Sequence, residues 1–264
     1  MKKQNRGKNM GNWRDRIGKG FLGLLFLVIV IKGIVIFNGP GANAEIEIKD
    51  LFSSGIMDVY GIMKKKALVL AMENLMFIVY FNLFFGNYIY NYFVKGSVFT
   101  FSRIQNRKKW FWRQSIQLHG ICIIFSFFYL VLQLLVSMYS SMQMPDLECL
   151  KVFLIFWIAF SVILMISTFC INLSAVKFGV VKAFLITYMV IVLLMQLSIH
   201  FEDIPVLKNY YILHILNPMS AISLILIKGK LLKLGAVVYY HLLIAIIVYL
   251  AGSYIKKIDI IRSE

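Results

Sequence analysis

The chain has 264 residues, of which 60% are hydrophobic, and its 28 Lys and Arg against 12 Asp and Glu give a formal net charge of +16 at pH 7. That apolar fraction exceeds what one core of a water-soluble domain of this length can bury, which argues against a soluble globular fold. The basic excess does not indicate nucleic acid, because most of it flanks apolar runs, where positive charge orients membrane helices.

Apolar runs of about 20 residues recur along the sequence, as a hydrocarbon layer roughly 30 Å thick requires. They predict an all-α membrane protein that forms a single transmembrane domain over residues 1–264. Six membrane-spanning helices are expected, at residues 21–37, 67–85, 116–138, 150–171, 180–199 and 235–254.

The first apolar run has an alternative interpretation, because small residues up to Ala44 follow it and resemble a secretory cleavage site. The run is longer than a usual signal core, so we expect an uncleaved first span.

Charge orients these predicted spans. The segment before the first span carries seven basic residues against Asp15 alone, and the segment after the second span carries six basic residues and no acid. The short connection after the fourth span holds Lys177, whereas the alternate loops hold eight of the 12 acids. The positive-inside rule therefore predicts a multi-pass protein with both termini in the cytoplasm.

Cysteine and histidine usage predicts neither a disulfide nor a metal site. Cys122 and Cys170 fall inside apolar runs, Cys149 falls in a predicted loop, and the four histidines lack metal-ligand spacing. Catalytic motifs and a phosphate loop are also missing from the sequence: Gly20 stands where such a loop would have Ser or Thr after Lys19. We expect no catalytic residue, no metal and no cofactor in this chain.

Three segments outside the predicted spans are informative. Residues 12–17 mix Trp13 with charges and predict a short elbow helix in the membrane interface. Residues 101–112 are basic and aromatic. Residues 204–233 are apolar around a break at Asn217-Pro218 and predict short re-entrant helices before the sixth span.

This order of features resembles the ABC type-2 permease family, the membrane subunits of bacterial exporters. The sharpest likeness is the sequence Arg-Ile-Gln-Asn-Arg-Lys-Lys-Trp at residues 103–110, which is similar to loops of small Gram-positive permeases that handle antimicrobial peptides. One departure is the long outer loop at residues 38–66, which ends in three lysines.

The resemblance implies a cytoplasmic coupling helix that binds a separate ATPase. Its residues would be Phe101, Arg103, Ile104, Arg107, Lys108, Lys109 and Trp110. A basic interfacial anchor is the alternative role for this segment.

The resemblance also implies the partners and the place of work. An ABC ATPase dimer would bind ATP and Mg²⁺, and a second permease copy or a homologous permease would complete the transporter. Membrane lipids and a peptide or lipid-like cargo would contact the chain, with no nucleic acid, in a bacterial cell membrane. Two other functions remain open: a non-transporting immunity or sensor subunit, and a membrane-embedded enzyme, which would need convergent ionisable groups at one depth.

Two charges lie well inside the first two predicted spans, and we predict that they pair. At 1.5 Å per residue, Lys32 lies roughly 8 Å and Glu73 roughly 9 Å below the outer boundary. An isolated charge in lipid costs on the order of 2.5–3.5 kcal/mol, which gives the two charges a reason to pair. In the alternative, Lys32 snorkels to the headgroups and Glu73 is protonated or faces a polar cleft. Lys32→Met or Glu73→Gln alone should lower stability, and the double variant should recover much of it, as measured by unfolding in detergent. Defects that simply add in the double variant would reject the pair.

Overall fold

The computed structural model describes residues 19, 20, 23, 26, 68–95, 106–141, 144–145, 147–203 and 230–255. Within these ranges the chain is helical apart from short turns and contains no strand. The helices are α1 (Leu68–Phe85), α2 (Tyr88–Lys95), α3 (Arg107–Ser141), α4 (Leu147–Phe178), α5 (Val180–Asp203) and α6 (Lys230–Ile255). The all-α part of the sequence prediction is confirmed for these residues.

Two of the described helices are long and apolar enough to cross a membrane. They are Arg107–Leu135 within α3 and Cys149–Phe178 within α4, over the third and fourth predicted spans. The apolar stretches Val180–Leu194 and Tyr239–Ser253 are shorter. The predicted elbow at residues 12–17 and nearly all of the first span and of the re-entrant segment lie outside the described residues, so the count of six spans stays a prediction.

Helices α3 and α4 extend well beyond the predicted spans. Helix α3 begins nine residues before residue 116 because Asn106 caps it: the Asn106 side-chain oxygen accepts from the Lys109 backbone N–H at 3.0 Å. Cys149 lies in the first turn of α4, where it is fully buried, and not in a loop. Lys177 lies in the last turn of the same helix, not in the connection that follows. Apolar periodicity marks what needs burial, whereas a capped backbone continues as helix through polar residues, so these helices are longer than the predicted spans.

Helix α6 begins at Lys230, five residues before the predicted start of the sixth span. Residues 230–233 were assigned to the end of the re-entrant segment. Their Lys and Leu residues are strong helix formers with no breaker among them, and they belong to α6 instead.

The connection between α4 and α5 is one residue, Gly179. Its φ of +78° is a conformation that only glycine adopts without strain. The Gly179 N–H donates to the Ala175 carbonyl at 3.0 Å and closes α4. Because the turn is so short, α4 and α5 form an antiparallel hairpin and pack along their length.

Helix α4 is the centre of the described bundle, since it packs against α1, α2, α3, α5 and α6. Aromatic rings fill the space between α1, α3 and α4: the Phe77 ring stacks on Tyr129 with centroids 3.9 Å apart and meets the edge of Phe160 at 5.3 Å. The Trp157 indole N–H donates to the Ile123 carbonyl at 2.8 Å and fixes α4 against α3. Ring packing and one partly buried hydrogen bond thus hold α1, α3 and α4 together.

A break separates α1 from α2 at Gly86 and Asn87. The Gly86 N–H donates to the Asn82 carbonyl at 2.6 Å. A Cβ atom on Gly86 would collide with that carbonyl and would lie 2.8 Å from Cζ of Phe184 on α5. The absence of a side chain at Gly86 therefore allows α5 to approach the break.

We predict that Gly86→Ala lowers the free energy of unfolding by about 1–3 kcal/mol, because the added methyl group overpacks the contact with α5. Gly120→Ala is the matched control. Its Cβ would meet nothing within 4 Å, and alanine favours the interior of α3, so we expect a gain of about 0.5–1 kcal/mol. Unfolding of both variants in detergent measures the difference. Equal effects at the two positions would contradict the close approach at Gly86.

Candidate functional site

A buried hydrogen-bond network is centred on the side-chain amide of Asn82. Asn82 lies on α1 and is 0% exposed. Its Nδ2 donates to Ser167 Oγ on α4 and to Tyr188 Oη on α5, each at 3.1 Å. Its Oδ1 accepts from the Thr168 hydroxyl at 2.7 Å. One amide therefore joins three helices, with both of its N–H groups and its carbonyl oxygen satisfied.

The network continues one turn along α4 to the break between α1 and α2. Asn172 is buried, and its Oδ1 accepts from the Tyr90 backbone N–H in the first turn of α2 at 3.0 Å. Its Nδ2 donates back to the Thr168 carbonyl at 2.8 Å. Asn172 thus satisfies a free N–H of a helix start from outside that helix, which a buried terminus needs.

The network is made of uncharged amide and hydroxyl groups. These groups can orient helices and exchange hydrogen bonds with a polar ligand, and none of them is a strong acid, base or nucleophile. The nearest approach to a metal-binding pair lies elsewhere, where the His119 ring on α3 meets the His241 ring on α6 with centroids 5.9 Å apart. No group of three or more metal-ligating side chains occurs in the described part of the chain.

The basic start of α3, residues 107–110, packs beside the end of α6. The Lys108 ammonium lies 4.3 Å from the centre of the Tyr249 ring, a cation–π contact. Phe111 follows and is fully buried, and its ring meets the edge of Phe169 on α4 at 5.8 Å. Lys109 is exposed. The first turn of α3 is therefore anchored by packing on α6 and α4 while it presents Lys109 to the surface.

The structure describes some of the predicted site residues and not others. Arg107, Lys108, Lys109 and Trp110 form the first turn of α3, continuous with the predicted third span. Phe101, Arg103 and Ile104 lie outside the described residues. Lys32 also lies outside them, and for Glu73 the structure describes only the backbone within α1. The coupling role and the charge pair stay predictions.

Sequence reasoning missed the network around Asn82. Its signal was present as polar residues inside apolar runs, since Ser167 and Thr168 with Asn172 one turn later lie on neighbouring parts of α4. Polar residues of membrane-type helices face the interior of a bundle and pair there. From the sequence, pairing inside the bundle was considered only for charged residues, so the neutral amides Asn82 and Asn172 were not predicted to pair.

We predict that Asn82→Leu lowers the free energy of unfolding by about 2–4 kcal/mol, because it removes three hydrogen bonds that join α1 to α4 and α5 and leaves the partly buried Tyr188 hydroxyl without its amide partner. Gln196→Leu is the matched control, since Gln196 is an exposed amide on α5 and its replacement should change stability by less than about 0.5 kcal/mol. Thermal unfolding in detergent compares the two. A loss at Asn82 no larger than at Gln196 would show that the network contributes no net stability.

The chain matches no protein-family model, and neither a curated protein nor a solved structure matches it. Its function is therefore inferred from its own residues: the basic start of α3, the network around Asn82 and the apolar outer surfaces of the helices.

Proposed function

We propose that the chain is the membrane-spanning permease subunit of an ATP-driven exporter in a bacterial cell membrane. Its six spans would dimerise with a second copy or a homologous permease. A separate ATPase dimer would bind ATP and Mg²⁺ and dock on the cytoplasmic face. The cargo would be an amphipathic or antimicrobial peptide, or a lipid-like molecule, moved out of the cell or cleared from the membrane as immunity.

The observation that carries this proposal is the composition of α3. One capped helix begins with Arg107-Lys108-Lys109-Trp110, the residues on which the family resemblance depends, and then continues as apolar helix to Leu135. A positive cluster at one end of an apolar helix is typical of a cytoplasmic boundary. A protein bound at that end would contact the same helix that enters the hydrocarbon.

The outer surface of α5 supports the membrane location. Val181, Leu185, Met189 and Leu193 recur at a spacing of four residues, and each is at least 59% exposed. Such a continuous apolar face indicates contact with lipid or another protein, because its exposure to water is unfavourable. The proposed second permease copy and the bilayer are the two environments that would cover it.

The break between α1 and α2 supports a transport role. Interrupted helices with polar groups at the break are a recurrent feature of transporters, where freed backbone groups bind cargo or move. Here the break lies against Phe184 and is held by Asn172 and by the Asn82 carbonyl. A break held by a few polar bonds gives α1 and α2 a place to move relative to each other within an otherwise apolar bundle.

The test replaces Phe101, Ile104 and Trp110 by Ala. We expect the chain to insert normally and transport to fall at least about tenfold while the ATPase still hydrolyses ATP, because apolar anchors of a docking helix carry most of its binding energy. The control triple variant replaces three exposed apolar residues farther along α3 by Ala, namely Ile116, Ile124 and Leu135. It should leave coupling intact. Transport and hydrolysis are measured together in proteoliposomes.

Two outcomes would contradict the proposal. Normal coupled transport in the first triple variant would leave residues 101–110 as a basic interfacial anchor. A chain that never co-purifies with an ATPase, under conditions that preserve membrane complexes, would instead favour a non-transporting immunity or sensor subunit.

A further inference from the structure

A groove runs along the α4–α5 hairpin and opens at the surface of the helix bundle. Its volume is about 190 Å³, and its walls are almost entirely apolar, with Ile166 and Cys170 on α4 and Ile186 and Val190 on α5. Along α4 it extends from Ile163 to Ser174, roughly 16 Å at 1.5 Å per residue. Cys170, Ile186 and Val190 are exposed, so the groove is accessible from the surface.

One polar atom in the wall of this groove is buried without a hydrogen bond. Thr187 is 5% exposed, and its Oγ1 has no partner among the residues that the structure describes. Ser167, which bonds Asn82 in the neighbouring network, lines the same groove. A hydroxyl left unpaired in an apolar wall costs free energy, and a ligand oxygen such as an ester carbonyl would satisfy it.

Two lysines stand at the hairpin end of the groove. Lys177 lies one turn beyond Ser174 on α4, and Lys182 lies one turn before Ile186 on α5, so both continue the stripes that line the groove. Both side chains are exposed. The predicted topology places this end in the cytoplasm, where the bilayer carries its anionic lipids.

The geometry points to a binding site for one anionic phospholipid on the α4–α5 hairpin, with an acyl chain in the groove and the phosphate headgroup on Lys177 and Lys182. The inference rests on the membrane location in the proposed function and goes beyond transport. An apolar groove with two cations beyond its hairpin end matches the two parts of such a lipid. A zwitterionic lipid would fill the groove equally well and gain less from the lysines.

The test titrates the full-length chain, purified in detergent, with phosphatidylglycerol or phosphatidylcholine of the same acyl chains, and counts bound lipids by native mass spectrometry. We expect the first phosphatidylglycerol to bind about tenfold to thirtyfold more tightly than phosphatidylcholine, since each nearby lysine attracts an anionic headgroup. Lys177→Gln with Lys182→Gln should abolish that preference and leave weaker binding of both lipids. The control pair, Arg113→Gln with Lys151→Gln, removes the same charge elsewhere and should keep it.

A second pair of variants tests the groove itself. Val190→Trp places a large ring in the groove and should weaken binding of both lipids at least about fivefold through steric exclusion. Met189→Trp adds the same ring at an exposed position that does not line the groove, and it should have no effect.

Three results overturn the inference: equal affinity for the two lipids, a preference that survives loss of Lys177 and Lys182, or equal effects of the two Trp variants. Membrane fractionation of the expressing cells, before detergent is added, separates this failure from failure of the proposed function. A chain recovered outside the membrane contradicts both, whereas a membrane-embedded chain without the lipid preference contradicts only the lipid site.

Discussion

The side-chain amide of Asn82 must keep all of its hydrogen bonds in an apolar interior. An unpaired buried amide costs roughly 1–3 kcal/mol for each lost partner, and its partners here come from α4 and α5 while Asn82 itself belongs to α1. Apolar contacts alone allow helices to slide and rotate at small cost. Directional bonds to three hydroxyl groups do not, so this amide selects one rotation and one register for the three helices.

The rest of the bundle follows from that register. With Thr168 held against Asn82, Asn172 one turn later is placed to cap α2, and the break at Gly86 lies where α5 can approach it. The Phe77 and Tyr129 rings stack at the next level of α1 and α3. The single-residue turn at Gly179 then fixes how α5 returns along α4. Polar bonds set the register, and aromatic packing fills the space between the helices.

Sequence reasoning succeeded where a signal lies within one segment of the chain and failed where it depends on contacts between segments. Apolar runs located α1 within one residue and identified the middle of α3 and α4, because the hydropathy of a run depends on its residue composition alone. The extension of α3 beyond its apolar run was not foreseen, because it depends on the Asn106 cap, which periodicity does not detect. The groove of the α4–α5 hairpin was also invisible, because it depends on which faces of two helices meet. The network was foreseeable in kind, since neutral polar residues were visible in the runs, but its partners are set by packing.

The 35 residues of α3 make a rod of roughly 52 Å, which is longer than a hydrocarbon layer of about 30 Å. About 20 Å of it would stand clear of the hydrocarbon in any orientation close to the bilayer normal. Near the start of α3, its Phe111 ring contacts α4, and at mid-length the Trp157 indole of α4 donates a hydrogen bond to its backbone. No break interrupts α3 between those two contacts. The basic start and the apolar middle of α3 therefore belong to one uninterrupted helix. In the proposed permease, a partner bound at the basic start would therefore displace the part of α3 that lies within the hydrocarbon.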